Sequence, residues 1–280
     1  MHLTYRLVNV FTQNGGKLTG NPLCVFEDAR GLSDLQMQAL ALQFNLSETT
    51  FIFPSDKADA RVRIFTPNYE MPFAGHPTLG TAHVVRSLKN KFDSITLELN
   101  VGVIPVVARD DQWELRANKP TTRMAKASAS DFAAALGINA VDIKGPIMWV
   151  NAGTEQLIIP LESEDAVRRV QVSVVALKQV TRDGARAQAY VFAATSPDAL
   201  LSRFFFAKGD SIAEDPATGS ATANLGGWYL ANNVSLPMIK TISQGELAGR
   251  PSTLTLRIDA ERNVFVAGEV IDLGGGYVEL

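Results

Sequence analysis

Residues Ser211–Asn224 read SIAEDPATGSATAN, which places an acid, Asp215, directly before a proline and a run of small residues. Pro216 disfavours helix for the residue before it and can itself begin a helix. The small residues that follow let the backbone approach a ligand closely and leave amide N–H groups free where a helix begins. Such amides carry partial positive charge and suit a carboxylate or phosphate. The run Ser220–Leu230 is compatible with that helix.

A second stretch, Pro72–Ala82, reads PFAGHPTLGTA and has the same character, with a helix-compatible run to about Leu88. Both stretches place Gly, Pro and Thr ahead of a helix of small residues, and they lie about half a chain length apart. Two such helix starts facing each other would form a cleft with two anion-favouring walls. The alternative is a pair of tight turns that only allow close helix packing.

Composition limits the class of protein. The chain has 280 residues, is 46% hydrophobic and has a net charge of −3, so it can fill one or two cores and offers no large surface for nucleic acid or anionic membrane. Its one cysteine, Cys24, rules out an intrachain disulfide. The first residues alternate like a strand and not like a signal peptide, and no stretch reaches the ~18 apolar residues that span a bilayer. The expectation is a soluble, cytoplasmic protein.

Hydrophobic periodicity predicts a mixed α+β chain with an internal duplication. Each half contains short strands, a capped helix, more strands, a Gly/Pro-rich helix start and hairpins. The polar segment Asn118–Ser128 is interpreted as the linker between the halves. Four further predictions concern local structure: Ser130 caps a short helix at Asp131–Leu136, Val172–Leu177 is a strand, Val264–Ala267 is a strand that helps close the second half, and Val270–Leu280 is a final strand pair.

Three side chains are candidates for chemistry. Glu48 lies in a polar break before an apolar strand, where partial burial can raise a carboxyl pKa and make it a general acid or base. His76 lies at a helix start and can hydrogen-bond a ligand or relay a proton. Asp215 can orient a substrate amine or His76. Each residue also has a purely structural interpretation: Glu48 as a solvated acid in a turn, His76 as a packed or capping histidine, and Asp215 as an acid that caps a helix.

Other site types lack their sequence signatures. The chain contains no CxxC, HExxH, GxxxxGK[ST] or GxSxG pattern, and no helix follows the triple glycine near the C-terminus. His83, seven residues after His76, suits packing, and these two histidines supply no metal-ligand set. No metal site is therefore predicted.

At these residues the chain resembles the PhzF-like phenazine-biosynthesis proteins, which belong to the wider diaminopimelate-epimerase-like fold. The resemblance spans essentially the whole chain in the right order. It rests on the following segments: VNVFTQNGGKLTGNPLCVF near the start, NLSETTFIF with Glu48, FTPNYEMPFAGHPTLGTAH with His76, GDSIAEDPATGSATANLGGW with Asp215, and GRPS at Gly249–Ser252.

The resemblance implies two similar halves, each a curved barrel-like sheet around a central helix. The first would comprise residues 1–118 plus about 269–280 and the second residues 119–268, with the active site between them. It also implies a homodimer that needs no metal or organic cofactor. Epimerases of this fold use a cysteine at each helix start, whereas here those places resemble Gly75-His76 and Gly219-Ser220, which argues against a two-thiol mechanism.

For function, the resemblance implies an isomerase that moves a proton within a small carboxylate, as trans-2,3-dihydro-3-hydroxyanthranilate isomerase does. Glu48 matches the proton-transfer residue of that enzyme. The matching residues that hold the substrate or assist are His76, Asp215 and Ser220, helped by helix-start residues Gly75, Thr218 and Gly219. Two alternatives remain open: a non-thiol epimerase of an amino acid, and a dimer that binds a small molecule without turnover.

Overall fold

The computed structural model describes residues 1–90 and 93–280. The chain divides into two compact units: residues 1–116 with 267–280 form the first unit, and residues 117–266 form the second.

The first unit is a sheet wrapped around one helix. Its strands and helices are β1 (His2–Val10), β2 (Asn21–Phe26), α1 (Asp34–Phe44), β3 (Thr49–Phe53), β4 (Ala60–Phe65), β5 (Glu70–Met71), α2 (Gly75–Lys89), β6 (Ser94–Leu99), β7 (Gly102–Arg109) and β8 (Gln112–Arg116). Helix α2 packs against most of these strands, and its residues from His76 to Val85 are all buried. A Cβ atom on Gly80 would lie 2.6 Å from Cδ2 of Leu23, so the small residue is what lets this helix approach the sheet.

The second unit has the same plan. Its elements are β9 (Thr121–Met124), α3 (Ala129–Leu136), β10 (Met148–Asn151), β11 (Glu155–Pro160), α4 (Glu164–Arg169), α5 (Val174–Val180), β12 (Gln188–Ser196), β13 (Ala199–Lys208), β14 (Ser211–Asp215), α6 (Gly219–Ala231), β15 (Met238–Gln244) and β16 (Ser252–Ile258). Helix α6 is its central helix and contacts strands on several sides. A Cβ atom on Gly226 would lie 2.6 Å from Cγ1 of Val264, so close packing again depends on glycine.

Strand pairing repeats from one unit to the other. Strand β2 pairs parallel with β3, and β11 pairs parallel with β12. The next strands, β4 and β13, each pair antiparallel with the strand before them and with a short strand after them, β5 and β14. Each then pairs parallel with the strand that follows the central helix, β6 or β15. The internal duplication is therefore a property of the topology.

The repeat extends to side chains just before each central helix. Arg63 forms two hydrogen bonds with Glu70 and its Cζ lies 5.1 Å from the ring centroid of Phe65. Arg203 forms two hydrogen bonds with Glu214 and lies 4.5 Å from the ring of Phe205. In both units the glutamate comes five residues before the first residue of the central helix. This Arg-x-Phe and Glu combination fixes the short strand that leads into the helix.

The segment Asn118–Ser128, which was interpreted as the linker, contains β9, and this strand pairs antiparallel with β10. Its polar composition reflects the exposure of three of the four β9 residues. Helix α3 is capped by Ser128 and not by Ser130, because the Ser128 hydroxyl and the Asp131 carboxylate form a reciprocal capping box.

The segment Val172–Leu177 is mostly helix and not a strand. Ser173 caps α5 by accepting a hydrogen bond from the amide of Ala176, which starts a helix despite the β-branched residues. Strand propensity largely reflects the packing of side chains against a sheet. Only Leu177 of this helix is buried, so that preference had little effect here.

The last strands were also predicted incorrectly, because Val264–Glu279 is one continuous strand, β17. Its residues from 267 onward belong to the first unit, where they pair antiparallel with β1. Strand β1 thus lies between β2 and β17.

Candidate active site

Glu48 and His76 come together in the first unit. Glu48 directly precedes β3, and His76 is the second residue of α2. The Nδ1 atom of His76 lies 3.5 Å from Oε2 of Glu48, and the two side chains are only 7% and 16% exposed. This distance exceeds the usual 2.7–3.2 Å of a hydrogen bond, so a small approach is needed before the two groups could share a proton.

The imidazole of His76 is neutral at physiological pH. Burial disfavours its cation and lowers its pKa from 6.5 to about 3, against the smaller opposing effect of a hydrogen bond to the backbone carbonyl of Pro22. Its Nε2 atom is buried and has no hydrogen-bond partner among the described residues. Because a buried polar atom is usually satisfied, Nε2 is a point at which a ligand can bind.

Both central helices begin without a side-chain cap. The N-cap residues are Ala74 for α2 and Thr218 for α6, and neither side chain accepts a hydrogen bond from its helix. Gly75 and Gly219 are the first residues of the two helices, and neither first turn contains an acid. The partial positive charge of each helix start is therefore not neutralised by a local carboxylate within the helix.

In the second unit, Asp215 is the last residue of β14 and is held by Thr218. The Thr218 hydroxyl donates to Oδ2 of Asp215 at 2.5 Å. Gln244 donates from Nε2 both to the Thr218 hydroxyl and to the backbone carbonyl of Asp215, each at 2.9 Å. The backbone amide of Thr218 donates to Oε1 of the same glutamine at 3.3 Å. These contacts fix Thr218 as the donor to the Asp215 carboxylate.

Ser220, the second residue of α6, occupies the same place in its helix as His76 does in α2. Its hydroxyl accepts a hydrogen bond from Nε2 of Gln156 at 2.9 Å. Asn224, one turn further along α6, holds that glutamine from the other side. The side chains of Asn224 and Gln156 are buried, whereas Ser220 is half-buried.

Comparison with known proteins now decides the family. Residues 8–273 match the family model described as phenazine biosynthesis-like protein. The chain belongs to this family. The resemblance noted in the sequence is thereby confirmed.

Several relatives of this chain carry isomerase names. An uncharacterized isomerase of Pasteurella multocida is 38% identical over 276 residues, which cover 97% of this chain and 92% of the relative. The trans-2,3-dihydro-3-hydroxyanthranilate isomerase of Pseudomonas aeruginosa is 32% identical, with 98% and 97% of the two chains covered. The protein is therefore a member of an isomerase family.

Solved structures confirm the fold class predicted from the sequence. A PhzF-family phenazine biosynthesis protein of Bacillus anthracis superposes with a TM-score of 0.88 at 24% identity, over all of both chains. A probable proline racemase of Agrobacterium radiobacter gives a TM-score of 0.68 at 12% identity, covering 99% of this chain and 93% of its own. The protein thus has the α+β fold of the diaminopimelate-epimerase-like class.

The remaining predicted features have clear positions in this family member. Cys24 is buried in β2 and lies at neither helix start. His83 lies 3.1 Å from Asp272 and packs edge-on against Trp113, which is a structural setting. Within residues 1–90 and 93–280, no group of three or more His, Cys, Asp or Glu side chains could hold a metal ion. None of the helices described is long and apolar enough to cross a membrane.

Three site residues were missed by sequence reasoning: Gln156, Asn224 and Gln244. All three are buried amides: Gln156 and Gln244 donate to the hydroxyls of Ser220 and Thr218 at the start of α6, and Asn224 donates to Gln156. Asn224 offered a signal, because it is a polar side chain within an otherwise small and apolar helix. The two glutamines come from β11 and β15, and nothing local distinguishes them from other polar residues on strands.

Proposed function

We propose that this protein is a cofactor-independent isomerase that moves a proton within a small carboxylate, with a substrate like that of trans-2,3-dihydro-3-hydroxyanthranilate isomerase. The observation that carries the proposal is the half-buried Glu48 carboxylate beside a neutral, buried His76. The relative whose name specifies that substrate, at 32% identity over nearly the whole of both chains, supports the same choice.

In the proposed reaction, Glu48 carries the proton. Its carboxylate accepts a proton from one carbon of the substrate while the adjacent double bond shifts. The resulting carboxylic acid returns that proton to another carbon, so no atom or electron is gained or lost overall. One group can perform both steps if it lies within reach of both carbons.

The other site residues hold the substrate in this proposal. Because His76 is neutral in its buried setting, it does not serve as the general acid; it acts by hydrogen bonding through Nε2 and by maintaining the position of Glu48. Asp215 accepts a hydrogen bond from the substrate amine. The substrate carboxylate is bound by Ser220, with the uncapped amide at Gly219 contributing positive potential.

The proposal is tested by incubating the purified protein with trans-2,3-dihydro-3-hydroxyanthranilate and following its consumption by liquid chromatography. Expected is catalytic consumption with a product of unchanged mass. Binding of the substrate without consumption would favour the small-molecule-binding alternative. If the protein neither binds nor consumes the compound, this substrate class is rejected.

A further inference from the structure

Asn224 has its side-chain amide oriented by the backbone. Its Oδ1 accepts a hydrogen bond from the amide N–H of Ala152 at 2.7 Å, in a fully buried setting. A backbone N–H can only donate, so the atom facing it must be the oxygen of the Asn224 amide. The nitrogen of Asn224 must therefore point the other way, where it meets the backbone carbonyl of Thr154 at 2.8 Å.

The orientation of Asn224 determines that of Gln156. Asn224 Nδ2 lies 2.7 Å from Oε1 of Gln156 and donates its second hydrogen there. A reversed Gln156 would place two NH₂ groups against each other inside the protein, which leaves buried donors unsatisfied. Gln156 must therefore present its nitrogen to Ser220, whose Oγ lies 2.9 Å away.

Ser220 is left with an unused hydrogen. Its hydroxyl oxygen accepts from Gln156, and the part of the chain described by the structure offers no acceptor for the hydroxyl hydrogen. Ser220 is only half-buried, so this hydrogen can reach a bound molecule. A serine hydroxyl ordinarily rotates to donate or accept as its neighbours require. Here one lone pair of the oxygen accepts from Gln156, so the hydroxyl hydrogen does not point at Gln156.

We propose that Asn224 and Gln156 are positioning residues that make the Ser220 hydroxyl a hydrogen-bond donor to an anionic group of the substrate. This inference rests on the proposed function in one respect, namely that Ser220 contacts the substrate. This relay, a chain of hydrogen bonds, begins at the backbone N–H of Ala152 and runs through Asn224 and Gln156 to Ser220. Because a backbone N–H can only donate, it fixes the direction of every bond that follows. With Gln156 fixed as a donor to its oxygen, Ser220 can direct its hydrogen to a carboxylate or another acceptor of the bound molecule.

The relay can be tested without any substrate by neutron diffraction from deuterium-exchanged crystals of the wild-type protein. The expected map shows both deuterons of Gln156 on the nitrogen that faces Ser220, and the Ser220 deuteron away from the Gln156–Ser220 axis. A Ser220 deuteron pointing at Gln156 would overturn the inference, whether or not the enzyme has the proposed activity.

Binding of 3-hydroxyanthranilate, a stable amino carboxylate, then tests what the relay does for a ligand. Calorimetry should show about 10-fold weaker binding for Ser220→Ala, because a hydrogen bond to a charged group is lost. Gln156→Met should weaken binding about 3- to 10-fold in the wild type and have no further effect in Ser220→Ala. Equal effects of Gln156→Met in both backgrounds would show that it acts on stability and not through Ser220.

Gln188→Met is the matched control. Gln188 is also buried and donates from Nε2 to the neighbouring backbone carbonyl of Glu155 at 2.6 Å, without contacting Ser220. It should lower thermal stability and leave the affinity for 3-hydroxyanthranilate unchanged. The wild type could show the Ser220 deuteron in the expected position and still not bind 3-hydroxyanthranilate. In that case the proposed substrate class is rejected, whereas the inferred orientation of the Ser220 hydroxyl is retained.

Discussion

The Nδ1 atom of His76 lies 3.5 Å from Oε2 of Glu48, although 28 positions separate the two residues in the chain. The imidazole beside this carboxylate is neutral, because burial lowers the pKa of His76 to about 3. The neutral ring therefore does not form with Glu48 the ion pair that a histidine cation would form.

The first prediction is that Glu48→Gln abolishes turnover and preserves binding. Glutamine keeps the shape of the side chain but cannot accept the proton, so kcat on trans-2,3-dihydro-3-hydroxyanthranilate should fall about 10²-fold or more. Glu27→Gln is the control, since that carboxylate is similarly shielded, at 20% exposure, but pairs with Arg6. A Glu48→Gln enzyme with near wild-type kcat would exclude Glu48 as the base.

The second prediction concerns the stability of the fold in acid. The pKa of His76 is about 3 in the folded chain and near 6.5 when unfolded, so below pH 6.5 the unfolded state binds the extra proton. The stability that the folded state gains by keeping His76 neutral is fully present above pH 6.5. It is lost as the pH falls toward 3, by up to about 1.4 kcal/mol of unfolding free energy per pH unit. Urea denaturation of the wild type between pH 7 and 4.5 measures this loss.

His76→Gln provides the comparison, because glutamine does not titrate in this range. As the pH is lowered, the unfolding free energy of His76→Gln should fall less steeply than that of the wild type. The titratable group facing the ring is Glu48, which when ionised favours the histidine cation, so Glu48→Gln should not flatten the wild-type dependence. Parallel curves for the wild type and His76→Gln would contradict a lowered pKa for His76.

The third prediction is that Arg203 is essential for stability. Its side chain is 12% exposed and that of Glu214 is 16% exposed, so Arg203→Ala leaves a half-buried carboxylate unpaired. It also removes the donor to three backbone carbonyls at the end of α4, those of Val167, Arg168 and Val170. Breaking a buried pair typically costs about 3–5 kcal/mol of unfolding free energy.

Arg169→Ala is the matched control for Arg203. Arg169 pairs with Asp165 and Asp142, and its own side chain is 44% exposed, so its loss should cost less than the loss of Arg203. Chemical denaturation of both variants compares the two costs directly. Similar costs would show that the buried arrangement around Arg203 contributes no special stability.

The fourth prediction is that Cys24 has no chemical role. It is fully buried, and burial raises the pKa of its thiol, which keeps the reactive thiolate scarce. Cys24→Ala should cost at most about 3 kcal/mol of stability and leave turnover intact. The folded wild type should react slowly with a thiol reagent. Loss of activity in a folded Cys24→Ala protein would revive a thiol mechanism.

Local sequence patterns predicted the two central helices well. Runs of small residues behind Gly75 and Gly219 indicated helices that approach a sheet closely, and the glycine contacts in both units show why only small residues fit. The same approach failed at Val172–Leu177, where local β-propensity favoured a strand. A serine cap and an exposed surface outweighed that preference. Ser173 lies within the segment and was a local signal that was overlooked, whereas the exposure depends on the folded structure.

The candidate site was predictable only in part, because its supporting contacts are distant in sequence. Glu48 and His76 were chosen for their own chemistry, and the structure brings them together. Gln156 lies 64 residues from Ser220, and Gln244 lies 26 residues from Thr218. Such pairs depend on strand register around the central helix, and register is a property of the folded sheet.

The path of β17 has a consequence for how the protein is made. Strand β1 leaves the ribosome well before β17, yet residues 270–279 of β17 form one of its two partners. The second unit is continuous from residue 117 to 266, so all of it is synthesised before the first unit receives its closing strand. During translation the nascent chain must keep one side of β1 unpaired, and a stall or truncation before β17 emerges would leave an open sheet edge available for aggregation.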